Sequence, residues 1–78
     1  MNVTKQEIQT EISALKALKA PTVHTKELIG LSIEELEFGV DQTSGEWDEM
    51  RQDEQDIVHF TQLWKNGNSH IRPSERLK

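Results

Sequence analysis

The sequence predicts an all-α protein, a small bundle of three to four helices with a long C-terminal helix. Three observations support this fold class: two capping-box patterns, apolar residues that recur at intervals of three and four, and a proline and a glycine where helices should end. The chain has 78 residues, of which 33% are apolar, and it contains no cysteine. A core of this size rarely contributes more than about 3–5 kcal/mol. Because no disulfide can add to it, we expect an oligomer, either a homodimer or a hetero-complex.

The first helix is predicted to begin after Thr4, with Glu7 completing a capping box. Val3 and Ile8 flank this start at the spacing of a hydrophobic staple. An apolar stripe follows at intervals of four, three and three, through Ile8, Ile12, Leu15 and Leu18. Pro21 disfavours helical geometry in the residue before it, so the helix should end there.

The middle of the chain is predicted to form two short helices. Thr25 can cap the first, Gly30 interrupts the pattern, and Ser32 with Glu35 forms a second capping box. The break is therefore predicted between Gly30 and Ser32. Two alternatives stay open, a single bent helix and an extended stretch over residues 37–40.

The longest predicted helix runs from about Glu46 to Lys65, which corresponds to roughly 30 Å. Thr43 or Ser44 can cap its start, and Gly67 suits a left-handed C-cap at its end. Its second half is apolar nearly all round, which requires burial on several sides. The residues assigned there to the core or to an oligomer contact are Ile57, Phe60, Leu63 and Trp64.

Residues 1–68 are therefore predicted to form a single small helical domain. Residues 69–78 carry Arg72, Arg76 and Lys78, and this composition indicates a basic C-terminal tail that can be flexible. No apolar run approaches the ~18 residues of a membrane span, and the N-terminus lacks the apolar core of a signal peptide. We therefore expect a cytoplasmic protein that does not bind a membrane.

Charge is distributed unevenly along the chain. The net charge is −5, but residues 1–26 carry +2, residues 27–56 carry −10 and residues 57–78 carry +3. The acidic block repels phosphate, so we expect no direct binding to nucleic acid. A helix-turn-helix-like pattern within residues 22–40 does not change this expectation, because its second helix would direct carboxylates at DNA. The block is either a solvated face or a surface for a basic partner.

The predicted partner-binding surface consists of acidic residues and one tryptophan. Its members are Glu34, Glu37, Glu46, Trp47, Glu49, Asp53 and Asp56. Trp47 has acidic neighbours and few apolar residues nearby, which suits an interface hot spot. The alternative is packing of Trp47 against Phe38 or Val40 across the loop at residues 41–45.

Metal-binding or catalytic chemistry has weaker support in the sequence. Acid pairs at i and i+3 recur, and Asp56 with His59 resembles the Glu-x-x-His motif of carboxylate-bridged di-metal bundles. Such a site needs a second motif on a facing helix, so this chain would have to assemble it across subunits. We expect no cofactor, no resident metal and no enzymatic activity.

These features predict a small acidic protein-binding module without catalytic activity, an adaptor or an inhibitor of the kind carried by phages and mobile elements. Its acidic helical surface would bind a protein partner with a basic surface. Two alternatives stay open. One is an assembly subunit of a larger particle, such as a virion or a secretion component. The other is a metal protein or an enzyme assembled across subunits.

Overall fold

The computed structural model describes residues 3–78, which form five α-helices and no β-strand. The helices are α1 (Lys5–Ala17), α2 (Val23–Glu37), α3 (Gly45–Glu49), α4 (Gln52–Lys65) and α5 (Pro73–Arg76). The all-α prediction is therefore confirmed. Helix α2 packs against α1 and α4, and α5 packs against the same two helices. None of the helices within the described residues combines the length and the hydrophobicity needed to cross a bilayer.

The start and end of α1 follow from local sequence. The Thr4 hydroxyl accepts a hydrogen bond from the Glu7 N–H at 3.1 Å, which confirms Thr4 as the N-cap. Val3 and Ile8 both pack against the core, as the staple pattern predicts. The helix ends at Ala17, a few residues before the proline that forbids its continuation.

Helix α2 is continuous, so the prediction of two short helices is wrong. It begins before the predicted cap at Thr25, because Thr22 accepts a hydrogen bond from the Thr25 N–H at 3.1 Å. Gly30 destabilises a helix interior by about 1 kcal/mol relative to alanine, but burial of α2 against α4 outweighs this penalty. Ser32, the predicted second cap, instead lies buried in mid-helix, where its hydroxyl hydrogen-bonds with that of Thr61 at 2.8 Å.

The prediction of one long C-terminal helix is also wrong, because the chain breaks at Met50 and Arg51 into α3 and α4. These two residues have extended backbone, with ψ angles of 146° and 160°. The Glu54 carboxylate accepts the Arg51 N–H at 3.1 Å, and Asp53 accepts the Glu54 N–H at 2.9 Å. Carboxylates in a first turn also interact favourably with the helix dipole. A second helix start is therefore stable within the stretch that the sequence predicts as one helix.

The core lies where α1, α2 and α4 meet. Its buried apolar side chains are Leu15, Ile29, Leu36, Ile57, Val58 and Trp64. Two of the residues assigned to the core or to an oligomer contact, Ile57 and Trp64, are therefore inside the protomer. The other two, Phe60 and Leu63, are half-buried.

Residues 69–78 pack against the helical core, whereas the sequence marks them as a separate tail. The segment contains α5, whose Pro73 is buried. Leu77 packs against the core, and the Arg76 guanidinium lies 4.7 Å from the centre of the Phe60 ring. These apolar and cation–π contacts offset the conformational entropy that a free tail would keep. The segment is part of the helical domain.

Candidate partner-binding surface

A groove opens between the C-terminus of α2 and the short helix α3. Three carboxylates and three apolar side chains line it, namely Glu34, Asp41, Glu46, Phe38, Val40 and Met50. We call it the acidic groove. Among residues 3–78, no cationic side chain contributes to its lining. The groove thus combines negative charge with apolar surface, which suits a segment that carries both basic and apolar side chains.

Hydrogen bonds in the loop after α2 fix the shape of the acidic groove. Gly39 follows the helix with a φ of 79°, a conformation that favours glycine. The carboxylate of the buried residue Glu35 then accepts the Val40 N–H at 2.6 Å. Asp41 accepts the N–H of Thr43 at 2.9 Å and its hydroxyl at 2.7 Å. These bonds hold the loop in place without help from a partner.

Helix α3 carries the other wall of the groove, with Glu46 and Met50. The Ser44 hydroxyl caps this helix by accepting the Trp47 N–H at 3.3 Å. The side-chain amide of Gln55 donates to the Trp47 carbonyl at 2.8 Å, which ties α3 to α4. A helix of only five residues is therefore capped at its N-terminus and tied to α4 at its middle residue.

The C-terminus of α2 adds to the negative potential of the groove. The last turn of α2 contains no basic residue and carries the exposed carboxylates of Glu34 and Glu37. Helix carbonyls at this end have a partial negative charge, which favours a nearby cation. Hydrogen bonds from the Thr43 hydroxyl and N–H lower the pKa of Asp41 below its ordinary value. Asp41 therefore keeps its negative charge at neutral pH.

Phe38 borders the acidic groove and a second groove. Its side chain is 82% exposed, although it is one of the larger apolar residues of the chain. The second groove lies between α1 and the ends of α2 and α4, and we call it the lysine groove. Besides Phe38, its lining includes Lys5, Ile8, Ile12, Leu36, Glu37 and Lys65. Phe38 thus links a surface rich in carboxylates to one that carries two lysines.

The structure distributes the predicted partner-binding residues over several places. Glu34 and Glu46 line the acidic groove together, whereas Glu37 lines the lysine groove. Glu49 is exposed on α3, and Trp47 is half-buried. The predicted surface is therefore not a single continuous patch, and only two of its carboxylates converge on the acidic groove.

The remaining two predicted residues, Asp53 and Asp56, lie at a third groove together with Arg76. Asp53 also hydrogen-bonds with His24 at the start of α2, and this bond is the main cause that lowers the pKa of Asp53. The Glu27 carboxylate lies 4.0 Å from the other ring nitrogen of His24. This groove contains Arg76, and Asp53 is hydrogen-bonded to His24, so its carboxylates suit an external cation less well than those of the acidic groove, whose described lining has no cationic side chain.

Four of the six side chains named for the acidic groove, those of Phe38, Val40, Asp41 and Met50, are absent from the set predicted by the sequence, as are the lining residues Gly39 and Ser44. The one local signal for them is Gly39, because a glycine after an apolar residue at the end of a helix indicates a left-handed cap. Such a cap ends α2 with Phe38 outside the core. No local sequence pattern predicts that α3 lies close to this end of α2, because that position depends on the break in the chain at Met50.

The acid pairs and His59 form no compact cluster. Within residues 3–78, no three histidine, aspartate or glutamate side chains lie close enough together to hold a metal ion. His59 is exposed, and Asp56 accepts a hydrogen bond from the Gln52 side chain at 2.8 Å.

Comparison of the chain with protein-family models, with curated proteins and with solved structures found no match. A function must therefore be argued from the grooves and their charges. The acidic groove is the feature with the most definite chemical preference.

Proposed function

We propose that this chain is a small non-enzymatic protein-binding module that holds a basic partner protein in its acidic groove, and that it acts as an adaptor or an inhibitor. One observation carries the proposal. Three carboxylates, those of Glu34, Asp41 and Glu46, line the same groove as the exposed ring of Phe38, and no cation of residues 3–78 lies in that lining. The proposal includes a cytoplasmic location.

The charge of the groove selects a cationic partner. Glu34 lies in the last turn of α2, where the helix carbonyls already favour positive charge. A lysine or arginine of the partner would interact with the Glu34 carboxylate and with the carbonyl end of α2. An arginine could also bind a carboxylate through two parallel hydrogen bonds. Electrostatic attraction of this kind increases the association rate and the specificity more than it increases the affinity.

The apolar side chains of the acidic groove favour a partner segment that carries an apolar side chain as well as a cation. Phe38, Val40 and Met50 give an uncharged surface among the carboxylates. The Phe38 ring can also accept a cation over its face, and Met50 can adapt its shape to different side chains. The partner segment should therefore place an arginine or a lysine beside an apolar side chain.

A binding experiment with a defined probe tests this proposal. The probe is a short synthetic peptide of arginine and leucine, and its control replaces each arginine by glutamate. We expect the arginine peptide to shift the amide NMR signals of residues 38–46, and the glutamate peptide to leave them unchanged. The affinity should fall as the salt concentration rises, because the attraction is between partly exposed charges.

Two double variants with the same change in net charge show where the peptide binds. Glu34→Lys with Glu46→Lys removes carboxylates from the groove, and we expect the affinity to fall about tenfold or more. Asp48→Lys with Glu49→Lys changes exposed carboxylates of α3 that do not line the groove, and the affinity should change less than about threefold. An equal loss in both double variants would show attraction to net charge alone and would refute the proposal.

A further inference from the structure

Phe38 and the lysine groove form a surface that can bind a copy of itself. We infer that a second copy of this chain docks there, with Phe38 of each copy inserted into the lysine groove of the other. This inference does not rest on the proposed function, since it concerns the lysine groove and needs no basic partner. It explains why a large aromatic side chain that is 82% exposed lies beside an apolar groove.

The floor of the lysine groove is apolar and can receive an aromatic ring. Ile8 and Ile12 of α1 are half-buried there, beside the buried side chain of Leu36. A phenylalanine that fills such a groove removes its ring and the groove floor from water together. The structure thus holds both parts of an apolar contact, the inserting side chain and the receiving groove.

Charge complementarity also favours the docking of a second copy in the lysine groove. Glu34 is exposed and lies four residues before Phe38, and the two residues line the acidic groove together. When Phe38 enters the groove of another copy, Glu34 enters beside it. The groove offers Lys5 and Lys65 to this carboxylate, and these two cations outnumber the single carboxylate of its lining, that of Glu37. Lys65 is already oriented, because its ammonium group donates to the Glu35 carbonyl at 3.4 Å.

The arrangement favours a closed dimer. Phe38 belongs to the lining of the lysine groove, so the inserting residue and the receiving groove are adjacent on one surface. A self-complementary patch of this kind pairs about a two-fold axis, in which each contact occurs twice. Since Glu34 and Phe38 also line the acidic groove, a basic partner in that groove would compete with the second copy.

Sedimentation equilibrium of the intact chain at increasing protein concentration tests the inference. We expect a reversible monomer–dimer equilibrium, and Phe38→Ser should weaken the dimer about tenfold or more. The matched control is Val23→Ser, because Val23 is 75% exposed at the opposite end of α2. Circular dichroism should show the same helix content for both variants, since neither side chain is buried.

A charge exchange provides the second test. Glu34→Lys should weaken the dimer, and adding Lys5→Glu in the same chain should restore it, because each two-fold contact then regains opposite charges. A wild-type chain that stays monomeric at every concentration would refute the inference, as would equal effects of Phe38→Ser and Val23→Ser. Peptide binding by a strictly monomeric chain would refute the dimer and leave the proposed function intact. An arginine peptide that does not bind even at protein concentrations where the chain is monomeric would refute the proposed function and leave the dimer intact.

Discussion

The carboxylate of Glu11 accepts two hydrogen bonds from Ser74, a residue 63 positions further along the chain. The Ser74 N–H donates at 2.6 Å and its hydroxyl at 2.9 Å. The Arg72 guanidinium lies 4.0 Å from the same carboxylate. Glu11 is only 1% exposed, so these partners supply the hydrogen bonds that water would otherwise provide. The contact ties the start of α5 to the middle of α1.

We predict that Glu11→Ala destabilises the protein by about 3 kcal/mol, because it leaves the buried Ser74 N–H without an acceptor. Urea denaturation followed by circular dichroism measures this loss. Ser13→Ala, an exposed change on the same helix, should alter the free energy of unfolding by less than about 0.5 kcal/mol. Equal stability of the two variants would contradict the Glu11–Ser74 contact.

Removal of residues 69–78 should also destabilise the domain, by at least about 2 kcal/mol, because the contact of Leu77 with the core is lost. The denaturant dependence of the unfolding free energy should decrease as well, since less surface is exposed on unfolding. Deletion of the exposed residue Lys78 alone is the control and should have no effect. If the shortened chain unfolds like the full chain, the segment is a flexible tail.

Two glycine substitutions should have opposite effects on stability. Gly30 lies within α2 with open space around its Cα, so Gly30→Ala should stabilise the protein by about 1 kcal/mol. Gly39 also has open space, but its φ of 79° strains any other residue. Gly39→Ala should therefore destabilise by about 1–2 kcal/mol. Thermal unfolding measures both, and destabilisation by Gly30→Ala would indicate that α2 is not continuous there.

The His24–Asp53 hydrogen bond should make stability depend on pH in the acidic range. The bond lowers the pKa of Asp53 in the folded state from its ordinary value of 3.8. The unfolded chain therefore takes up the proton first, so the contribution of Asp53 is complete above pH 3.8 and is lost as the pH falls through the lower folded pKa. Asp53→Asn should be less stable than the wild type at pH 7.

Urea denaturation of both proteins at a series of pH values checks this prediction. The difference between them should shrink as the pH falls below 3.8, the ordinary pKa of Asp53. Asp56→Asn is a suitable control, because Asp56 is exposed and does not bind His24. A difference that grows as the pH falls below 3.8 would have the wrong sign for a lowered pKa of Asp53.

Local rules predicted α1 correctly because they concern neighbouring residues. The Thr4 cap, the staple and the stop before Pro21 all act within about two turns. The same rules failed at Ser32, where a capping-box pattern occurs inside a continuous helix. Its hydroxyl pairs instead with Thr61, 29 positions away, and no local pattern reports such a contact.

The candidate site was predicted only in part for the same reason. Glu34 and Glu46 were among the expected acidic residues, and both line the acidic groove. Phe38 and Met50 join them because α2 ends at a left-handed glycine and the next helix breaks at Met50. The prediction of one helix from Glu46 to Lys65 missed this break, which Glu54 stabilises by accepting the Arg51 N–H at the start of the new helix.

The sequence by itself determined the helical class, the start of α1 and the uneven distribution of charge, because each depends on composition or on residues within a few positions of one another. Only the tertiary structure decided that α2 continues through Gly30, that residues 69–78 join the core and that Asp53 pairs with His24. The physical reason is that burial and hydrogen bonding between distant segments outweigh local preferences of about 1 kcal/mol.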